Sequence, residues 1–467
     1  MPYKKVKELQ SHIEGKVTGA TDAGYEQLRR DMNWNQLMPT RYPQLIVQVA
    51  TEHDVVEAVR FARTHKMKIA VRGGGHSCTG FSLRDESLLI DLGRLKQISI
   101  DYEARVAAIQ AAVTGRELNN QLAPHGLAFP VGHSPSVPLS GFLLNGGLGF
   151  NSNSWGPACF SIEAAKVVTA DGSMVVANYE QHADLLWAIR GAGPGFFGVA
   201  IQYFLKLYKA PRAITTSTYY YPLQRIEEVG AWAGSVARQM PGDVELNIFF
   251  APTPPALAER CGSSNGFVGI LSATAFHDTA PEAIATLGLL DACPVAPECL
   301  QKEVNQPTLL AALLDKGGML WPERHRYLAD TLWSNSPPAQ LLGIVRDYFL
   351  QAPSPKSVAV CAFSTGASGN PAILPEAAFS MTASALFLCY AIWERPEDDA
   401  SNAAWHREMI ATLSPFAEGY YVGESDIVSD PARAERSFAP MNWQRLQALR
   451  RTYDPDALFH GHFTTQN

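Results

Sequence analysis

The sequence predicts an α+β fold in which two α/β subdomains are followed by an inserted domain of antiparallel sheet and helices. Three observations support this prediction: a β-α-β pattern at 42–100, a glycine-rich block at 105–208, and long alternating apolar stretches after residue 211. A chain of 467 residues exceeds what one hydrophobic core usually supports. We therefore divide it into residues 1–210, residues 211–425, and a C-terminal segment, 426–467.

The first block alternates strand-like runs with one amphipathic helix. LIVQVA, KIAVRGGGH and SLLIDLGRL predict strands, and Val55, Val59 and Phe61 repeat at helical spacing between the first two runs. Thr51 and Asp54 lie just ahead of the predicted helix at the spacing of a capping box, which supports a helix start there.

The later blocks differ from the first in glycine content and in the pattern of apolar residues. GFLLNGGLGF is rich in glycine, and Asp171-Gly172 between the β-branched runs of VVTADGSMVVA predicts a hairpin turn. After residue 211, TTSTYYYPL, VELNIFFAP, GFVGILSATAF and ALFLCYAIW alternate with helical segments, a pattern typical of an antiparallel sheet with helices on one face. MNWQRLQALRRTY predicts a short helix near the end.

Composition and charge exclude several classes of partner. The net charge of −7 comes without a long basic run, which argues against nucleic acid or an anionic membrane as the main partner. The 7 cysteines are scattered and form no C-x-x-C pair, so we predict reduced thiols and no metal site. A polar amino terminus and the lack of a long apolar run predict a cytoplasmic protein that does not enter a membrane. A small molecule is the expected partner.

One loop suggests anion binding. Arg72-Gly73-Gly74-Gly75-His76-Ser77 follows a predicted strand directly, and consecutive glycines let backbone N–H groups converge on a diphosphate. The same run is compatible with a simple tight turn, and it lacks the spacing of a P-loop or a Rossmann turn. Further glycine-rich segments at 141–149 and 191–198 indicate two more places where backbone approaches a ligand or a strand closely.

In their order, these motifs resemble the PCMH-type FAD-binding domain of berberine-bridge-enzyme-like proteins in the vanillyl-alcohol-oxidase superfamily. D-V-x-x-A-V-x-F-A-R, V-R-G-G-G-H-S and L-I-D-L resemble the first half of that domain, and G-H-S-P-S-V-P-L-S-G-F-L-L-N-G-G-L-G-F and W-A-I-R-G-A-G-P-G-F-F-G-V resemble the second. Asn442, Arg445 and Tyr453 resemble its C-terminal module. The resemblance covers roughly half of the chain and implies a split FAD-binding domain with an inserted substrate domain.

The resemblance implies a covalent bond from His76 to the 8α methyl carbon of FAD, with a histidine beside non-covalent FAD as the alternative. Many relatives have a second link from a cysteine, but Ser134 stands at that position, so we expect a single bond. The other cofactor-binding positions that the motifs imply are Arg72, Gly73, Gly74, Gly75, Ser77, Gly132, Ser134, Gly141, Asn145, Gly146, Gly149, Gly198, Val199 and Asn442.

Substrate oxidation needs a base near the flavin N5. Relatives end the substrate domain with Y-V-N-Y-x-D, whose second tyrosine has this role, and here the corresponding residue is Glu424. A partly buried carboxylate with a raised pKa suits proton abstraction, whereas a surface or salt-bridged carboxylate is the alternative interpretation. Tyr421, Tyr390 and Glu376 are the other catalytic candidates.

The predicted activity is that of an FAD-linked oxidase or dehydrogenase. It would oxidise an alcohol, phenol, sugar or secondary-metabolite intermediate by hydride transfer to N5, with dioxygen as the expected acceptor. Leu143 lies near the position where relatives control oxygen access, and its bulk favours a dehydrogenase. An oxidative cyclase and a non-catalytic flavin-binding protein are further alternatives. The sequence specifies neither the substrate nor the oligomeric state.

Overall fold

Four β-sheets organise the part of the chain that the computed structural model describes, residues 2–261, 265–369 and 374–462. The strands are β1 (Lys16–Gly19), β2 (Leu45–Gln48), β3 (Ile69–Arg72), β4 (Leu88–Asp91), β5 (Ile98–Asp101), β6 (Val106–Gln110), β7 (Leu127–Ala128), β8 (Ile162–Val168), β9 (Met174–Ala177), β10 (Val199–Lys206), β11 (Tyr208–Lys209), β12 (Ala213–Tyr221), β13 (Val244–Pro252), β14 (Phe267–His277), β15 (Gln301–Thr308), β16 (Arg326–Ser334), β17 (Val358–Phe363) and β18 (Ala385–Trp393).

The α-helices connect these sheets and cover them. They are α1 (Pro2–Gln10), α2 (Tyr25–Asp31), α3 (Glu52–Thr64), α4 (Gly115–Leu122), α5 (Leu139–Leu144), α6 (Ser152–Trp155), α7 (Ala183–Ile189), α8 (Ile226–Ala237), α9 (Ala280–Leu287), α10 (Leu310–Leu320), α11 (Pro338–Phe349), α12 (Asp399–Leu413), α13 (Ala432–Glu435) and α14 (Pro440–Tyr453).

The first sheet has the strand order β1-β2-β4-β3, and β4 pairs in parallel with both β2 and β3. This arrangement confirms the predicted β-α-β opening. The Thr51 hydroxyl accepts from the Asp54 N–H at 3.2 Å and donates to the Asp54 carboxylate at 2.9 Å, so the predicted capping box starts α3. Val55 and Val59 on α3 are fully buried against this sheet. The chain therefore leaves β3 at Arg72 and enters the glycine loop at the carboxyl edge of the sheet.

The second sheet is antiparallel, with the order β5-β6-β10-β8-β9. Its β8-β9 hairpin confirms the predicted turn, because Val168 pairs with Met174 and Gly172 adopts a φ of 80°. The segment GFLLNGGLGF does not form a loop throughout, since its first part belongs to α5. The core of this region includes Phe129, Tyr203 and Leu185.

The C-terminal segment packs against the first sheet. Ile69 of β3 forms a parallel bridge with Phe459, and the Ile69 N–H donates to the Leu458 carbonyl at 2.8 Å. The Arg450 guanidinium donates to the Gly195 carbonyl at 3.1 Å. The end of the described chain thus contacts both halves of the N-terminal region.

The third large sheet is antiparallel throughout and has seven strands, in the order β15-β12-β14-β13-β17-β18-β16. Helices α8, α9, α11 and α12 share a core with one face, where Ile248 and Phe250 are buried. The alternate residues Asn247 and Phe249 point to the opposite face, which borders a cavity. The predicted sheet with helices on one face is therefore confirmed, while the exact division into three segments stays a prediction.

The described residues contain no membrane-spanning helix, metal-binding cluster or disulfide. No helix in these ranges is both long and apolar enough to cross a membrane. No group of three or more His, Cys, Asp or Glu side chains in the same ranges has an arrangement that could hold a metal ion. All seven cysteines fall within the described residues, and each is a free thiol.

Candidate functional site

A cavity of about 470 Å³ lies between the glycine-rich loops and the open face of the seven-stranded sheet. The loops form one wall, and β13, β17 and β18 contribute the opposite wall. Most of the predicted site residues line it. They are Arg72, Gly73, Gly74, Gly75, His76, Ser77, Gly132, Ser134, Gly141, Asn145, Gly149, Gly198, Tyr390, Tyr421 and Glu424.

The first glycine loop is held close to a second loop. A Cβ atom on Gly74 would lie 2.2 Å from Pro138 Cγ, and one on Gly73 would lie 2.4 Å from Ser140 Oγ. Only glycine permits this approach, because real Cβ contacts are longer. The Arg72 guanidinium anchors the loop by donating to Asp91 Oδ1 at 2.7 Å and to the Gly74 carbonyl at 3.1 Å. Backbone atoms, rather than side chains, therefore form this part of the wall.

His76 lies beside this loop with its ring stacked on Trp34, the two ring centroids being 5.2 Å apart. Burial, together with the nearby Arg72 charge, lowers the pKa of His76 to about 4. The imidazole is consequently neutral at physiological pH. A neutral ring retains a nitrogen lone pair, which bond formation to an electrophilic carbon requires.

Among the described residues, five polar atoms of the cavity lining are buried without a hydrogen-bond partner: Trp34 Nε1, Asn145 Oδ1, Trp321 Nε1, Trp333 Nε1 and His460 Nε2. The Asn145 amide is oriented by its Nδ2, which donates to the Gly141 carbonyl at 2.7 Å. Buried polar atoms are normally paired, so unpaired atoms facing a cavity indicate that a polar ligand completes them. The glycine cradle, the neutral His76 and these atoms together fit a dinucleotide cofactor such as FAD.

Tyr390 and Glu424 form a hydrogen-bonded pair on the opposite wall. The Tyr390 hydroxyl donates to the Glu424 carboxylate. Burial raises the pKa of Glu424, although the hydrogen bond from Tyr390 opposes that shift. Burial also raises the pKa of Tyr390 well above its usual value, and the neighbouring Glu424 adds to the effect. The pair can therefore hold a proton or accept one inside the cavity.

The segment that carries Glu424 is fixed by β16. The Thr331 hydroxyl lies 2.7 Å from the Ser425 hydroxyl and accepts from the Tyr421 N–H at 3.0 Å. The Tyr421 hydroxyl points to the second glycine loop, where it accepts from the Gly147 N–H at 3.3 Å. Tyr421 therefore joins the two walls, whereas Glu424 faces the space between them.

Several predicted residues do not line the cavity. Glu376 is the clearest correction, because its side chain is 79% exposed and forms a surface ion pair with Arg445 at 2.6 Å. The Asn442 amide donates to the Ala377 carbonyl at 2.8 Å and so fixes a chain segment rather than a ligand. Gly146 packs against Phe379, and Val199 is fully buried in β10.

The residue expected to control oxygen access, Leu143, does not line the cavity either. Leu143 is fully buried in the core of the second subdomain, and the leucine of α5 that lines the cavity is the next residue, Leu144. The size of Leu143 therefore gives no support for a dehydrogenase.

Sequence reasoning missed Trp34, Glu245 and His460, which all line the cavity. Trp34 and His460 lie in irregular segments, where no repeating pattern indicates which side chains share a surface. Glu245 had a usable signature, because it is a charged residue at the start of an alternating apolar strand and falls on the same side as Asn247 and Phe249.

Comparison with known proteins agrees with this geometry. A family model described as an FAD binding domain matches residues 43–178. The FAD-linked oxidoreductase penO of Penicillium crustosum is 28% identical over 433 residues, which cover 92% of each chain. The solved structure of 6-hydroxy-D-nicotine oxidase from Arthrobacter nicotinovorans has a TM-score of 0.81 at 22% identity and covers 97% of this chain and 98% of its own. The BBE-like 1 protein of Physcomitrella patens has a TM-score of 0.81 at 20% identity, with 98% of both chains covered.

Proposed function

We propose that this chain, which has the fold of the berberine-bridge-enzyme-like proteins and is similar to FAD-linked oxidoreductases, oxidises a small organic substrate with FAD attached through His76. The substrate class is an alcohol, phenol, sugar or secondary-metabolite intermediate. When bound, FAD would supply the acceptor for the substrate hydride, with dioxygen as the expected final oxidant. The observation that carries the proposal is that His76 and the Tyr390–Glu424 pair line the same cavity.

His76 is the attachment residue in this proposal. Its low pKa keeps the ring neutral, and the stacked Trp34 restricts its orientation. The glycines at 73–75 line the cavity, so their backbone N–H groups are the candidates to hold the diphosphate, while Asn145 and His460 supply unpaired polar atoms. Because Ser134 lacks a thiol, the chain holds the cofactor by one covalent bond.

Glu424 is the proton acceptor in this proposal. Its carboxylate takes the proton of the substrate hydroxyl, which makes loss of hydride from the adjacent carbon easier. Tyr390 holds the carboxylate by its hydrogen bond, and the surrounding apolar wall excludes competing water. Tyr421 positions the segment that carries Glu424 by linking it to Gly147.

Denaturing electrophoresis with in-gel flavin fluorescence tests the attachment. We expect a fluorescent band at the mass of the chain for the wild type and none for His76→Ala, because denaturation releases flavin that is not covalently bound. His53→Ala is the matched control, since His53 is exposed on α3. A fluorescent band in His76→Ala would reject the attachment, and the absence of flavin from the wild type would reject the proposed function.

A further inference from the structure

A second pocket, of about 420 Å³, lies where the N-terminal region meets the seven-stranded sheet, and we call it the junction pocket. Helix α6 and strand β11 contribute one side of it, while the residue before β13, the end of β14 and α9 contribute the other. It shares no lining residue with the cavity of the candidate site. The function proposed above makes no use of it.

Three polar atoms of its lining are buried and have no hydrogen-bond partner among the described residues: Asn151 Oδ1, Asp243 Oδ1 and His277 Nε2. Asn151 is only 3% exposed, and its backbone N–H donates to Glu245 Oε1 at 2.6 Å, which holds the residue in place. Buried polar atoms are normally paired. Three unpaired atoms in the lining of one pocket therefore indicate a ligand that bonds to them.

The unpaired atoms require a ligand that donates hydrogen bonds and carries positive charge. Asn151 Oδ1 and Asp243 Oδ1 can only accept. Asp243 Oδ2 faces His277 Nδ1 at 3.3 Å, and within the described chain Asp243 has no lysine or arginine partner. Asp278 also lines the pocket, but it is already paired with Lys209 at 3.3 Å. Asp243 is therefore the carboxylate that a cation in this pocket would meet.

The rest of the wall suits an organic cation rather than a metal ion. Trp155 and Phe276 line the pocket, and Trp155 stacks on Tyr208 with the ring centroids 4.8 Å apart. Aromatic rings attract organic cations and bury the apolar surface attached to them. A metal ion lacks a ligand set here, because no three His, Cys, Asp or Glu side chains of the described chain are arranged to hold one.

From this geometry we propose that the junction pocket is a second binding site, separate from the flavin cavity, and that it takes a small organic cation, an amidinium or ammonium on an apolar frame. Asp243 pairs with the charge, Asn151 Oδ1 accepts one N–H of the ligand, and Trp155 contacts the frame. Neither the attachment of FAD nor the oxidation of a substrate enters this proposal.

Isothermal titration calorimetry of the flavin-loaded protein with benzamidinium tests the proposal. Benzamide has nearly the same shape without the charge, and benzoate has the same frame with the opposite charge. We expect benzamidinium to bind the wild type about tenfold more tightly than benzamide, the effect of one additional charged contact. Asp243→Asn should abolish this preference.

A second variant tests the site without changing its charge. Asn151 has a φ of 59°, which glycine tolerates, so Asn151→Gly removes the side-chain acceptor and keeps the backbone N–H. We expect it to weaken the binding of benzamidinium about fivefold, the effect of one hydrogen bond. Asp456→Asn is the matched control for Asp243→Asn, because Asp456 is exposed, and it should bind like the wild type.

Glu424→Gln locates the bound cation, because Glu424 lines only the other cavity. It should leave the affinity for benzamidinium unchanged, and an affinity lost in Glu424→Gln but kept in Asp243→Asn would overturn the proposal. Tighter binding of benzoate, no binding of benzamidinium up to millimolar concentration, or wild-type affinity in Asn151→Gly would also overturn it. The in-gel fluorescence of the flavin does not depend on any of these outcomes.

Discussion

At the scale of single residues, burial explains the chemistry of the site. The same glutamate side chain behaves differently at two positions: Glu424 is buried and paired with Tyr390, whereas Glu376 is exposed and paired with Arg445. Sequence placed both among the catalytic candidates because it shows residue type and order but not exposure. The structure distinguishes them by their surroundings.

Glu424→Gln tests the role of the carboxylate once a substrate is in hand. Below the pKa of Glu424 the protonated side chain cannot accept a proton, so kcat/KM should rise with pH as Glu424 ionises. Because burial raises that pKa, the rise should be centred above the usual value of 4.5 for glutamate. We expect Glu424→Gln to lower kcat/KM by about 100- to 10,000-fold and to remove this limb of the pH profile.

Two companion variants sharpen the measurement. Tyr390→Phe keeps the carboxylate but removes its hydrogen bond, which had lowered the pKa of Glu424. The limb should therefore move to higher pH in this variant. Glu376→Gln should behave like the wild type because its side chain lies on the surface. An unaltered pH profile in Glu424→Gln would show that another group accepts the proton.

At the scale of elements, the sequence predicted helices and strands but not the contacts that the loops make. The sequence predicted α3 and its capping box because Thr51, Asp54 and the buried valines form a local pattern. It also indicated the glycine loops. It did not predict that Gly74 lies against Pro138, since that contact joins segments that are far apart in the chain. Trp34 and His460 were missed for the same reason.

Gly74→Ala and Gly141→Ala form a matched pair for this element. Overpacking against Pro138 should destabilise Gly74→Ala by about 1–3 kcal/mol, measured as a lower midpoint of denaturant unfolding. A Cβ on Gly141 meets no atom within 4 Å outside its own helix, and alanine is the better helix former, so the unfolding midpoint of Gly141→Ala should be equal to or higher than that of the wild type. If FAD fills that space, Gly141→Ala should instead lower the ratio of flavin to protein absorbance. Equal midpoints for both variants would contradict the close loop approach.

At the scale of the whole molecule, the C-terminal segment links the regions. Its resemblance to a C-terminal module of the family suggested that this segment returns to the N-terminal region. The parallel bridge between Ile69 and Phe459 is the contact through which it does so. A second tie runs to the seven-stranded sheet, where Arg433 of α13 pairs with the buried Asp330 of β16. No sequence pattern indicated this second tie, because the two residues belong to unrelated motifs.

Arg433→Met tests how much this tie contributes. Removing the cation leaves Asp330 buried without its partner, which should lower the free energy of unfolding by about 3–5 kcal/mol. Arg451→Met is the control, because Arg451 is exposed on α14 and its loss should cost less than about 0.5 kcal/mol. Chemical denaturation followed by circular dichroism measures both. Similar midpoints for the two variants would show that the ion pair adds no net stability.

The alternation along β13 has a practical consequence for engineering. Positions 245, 247 and 249 line the cavity, whereas Ile248 and Phe250 are buried with the helices. A combinatorial library randomised at the first three positions would leave the helix-packed core intact. Screening such a library should therefore recover variants with new catalytic preferences at little loss of soluble expression.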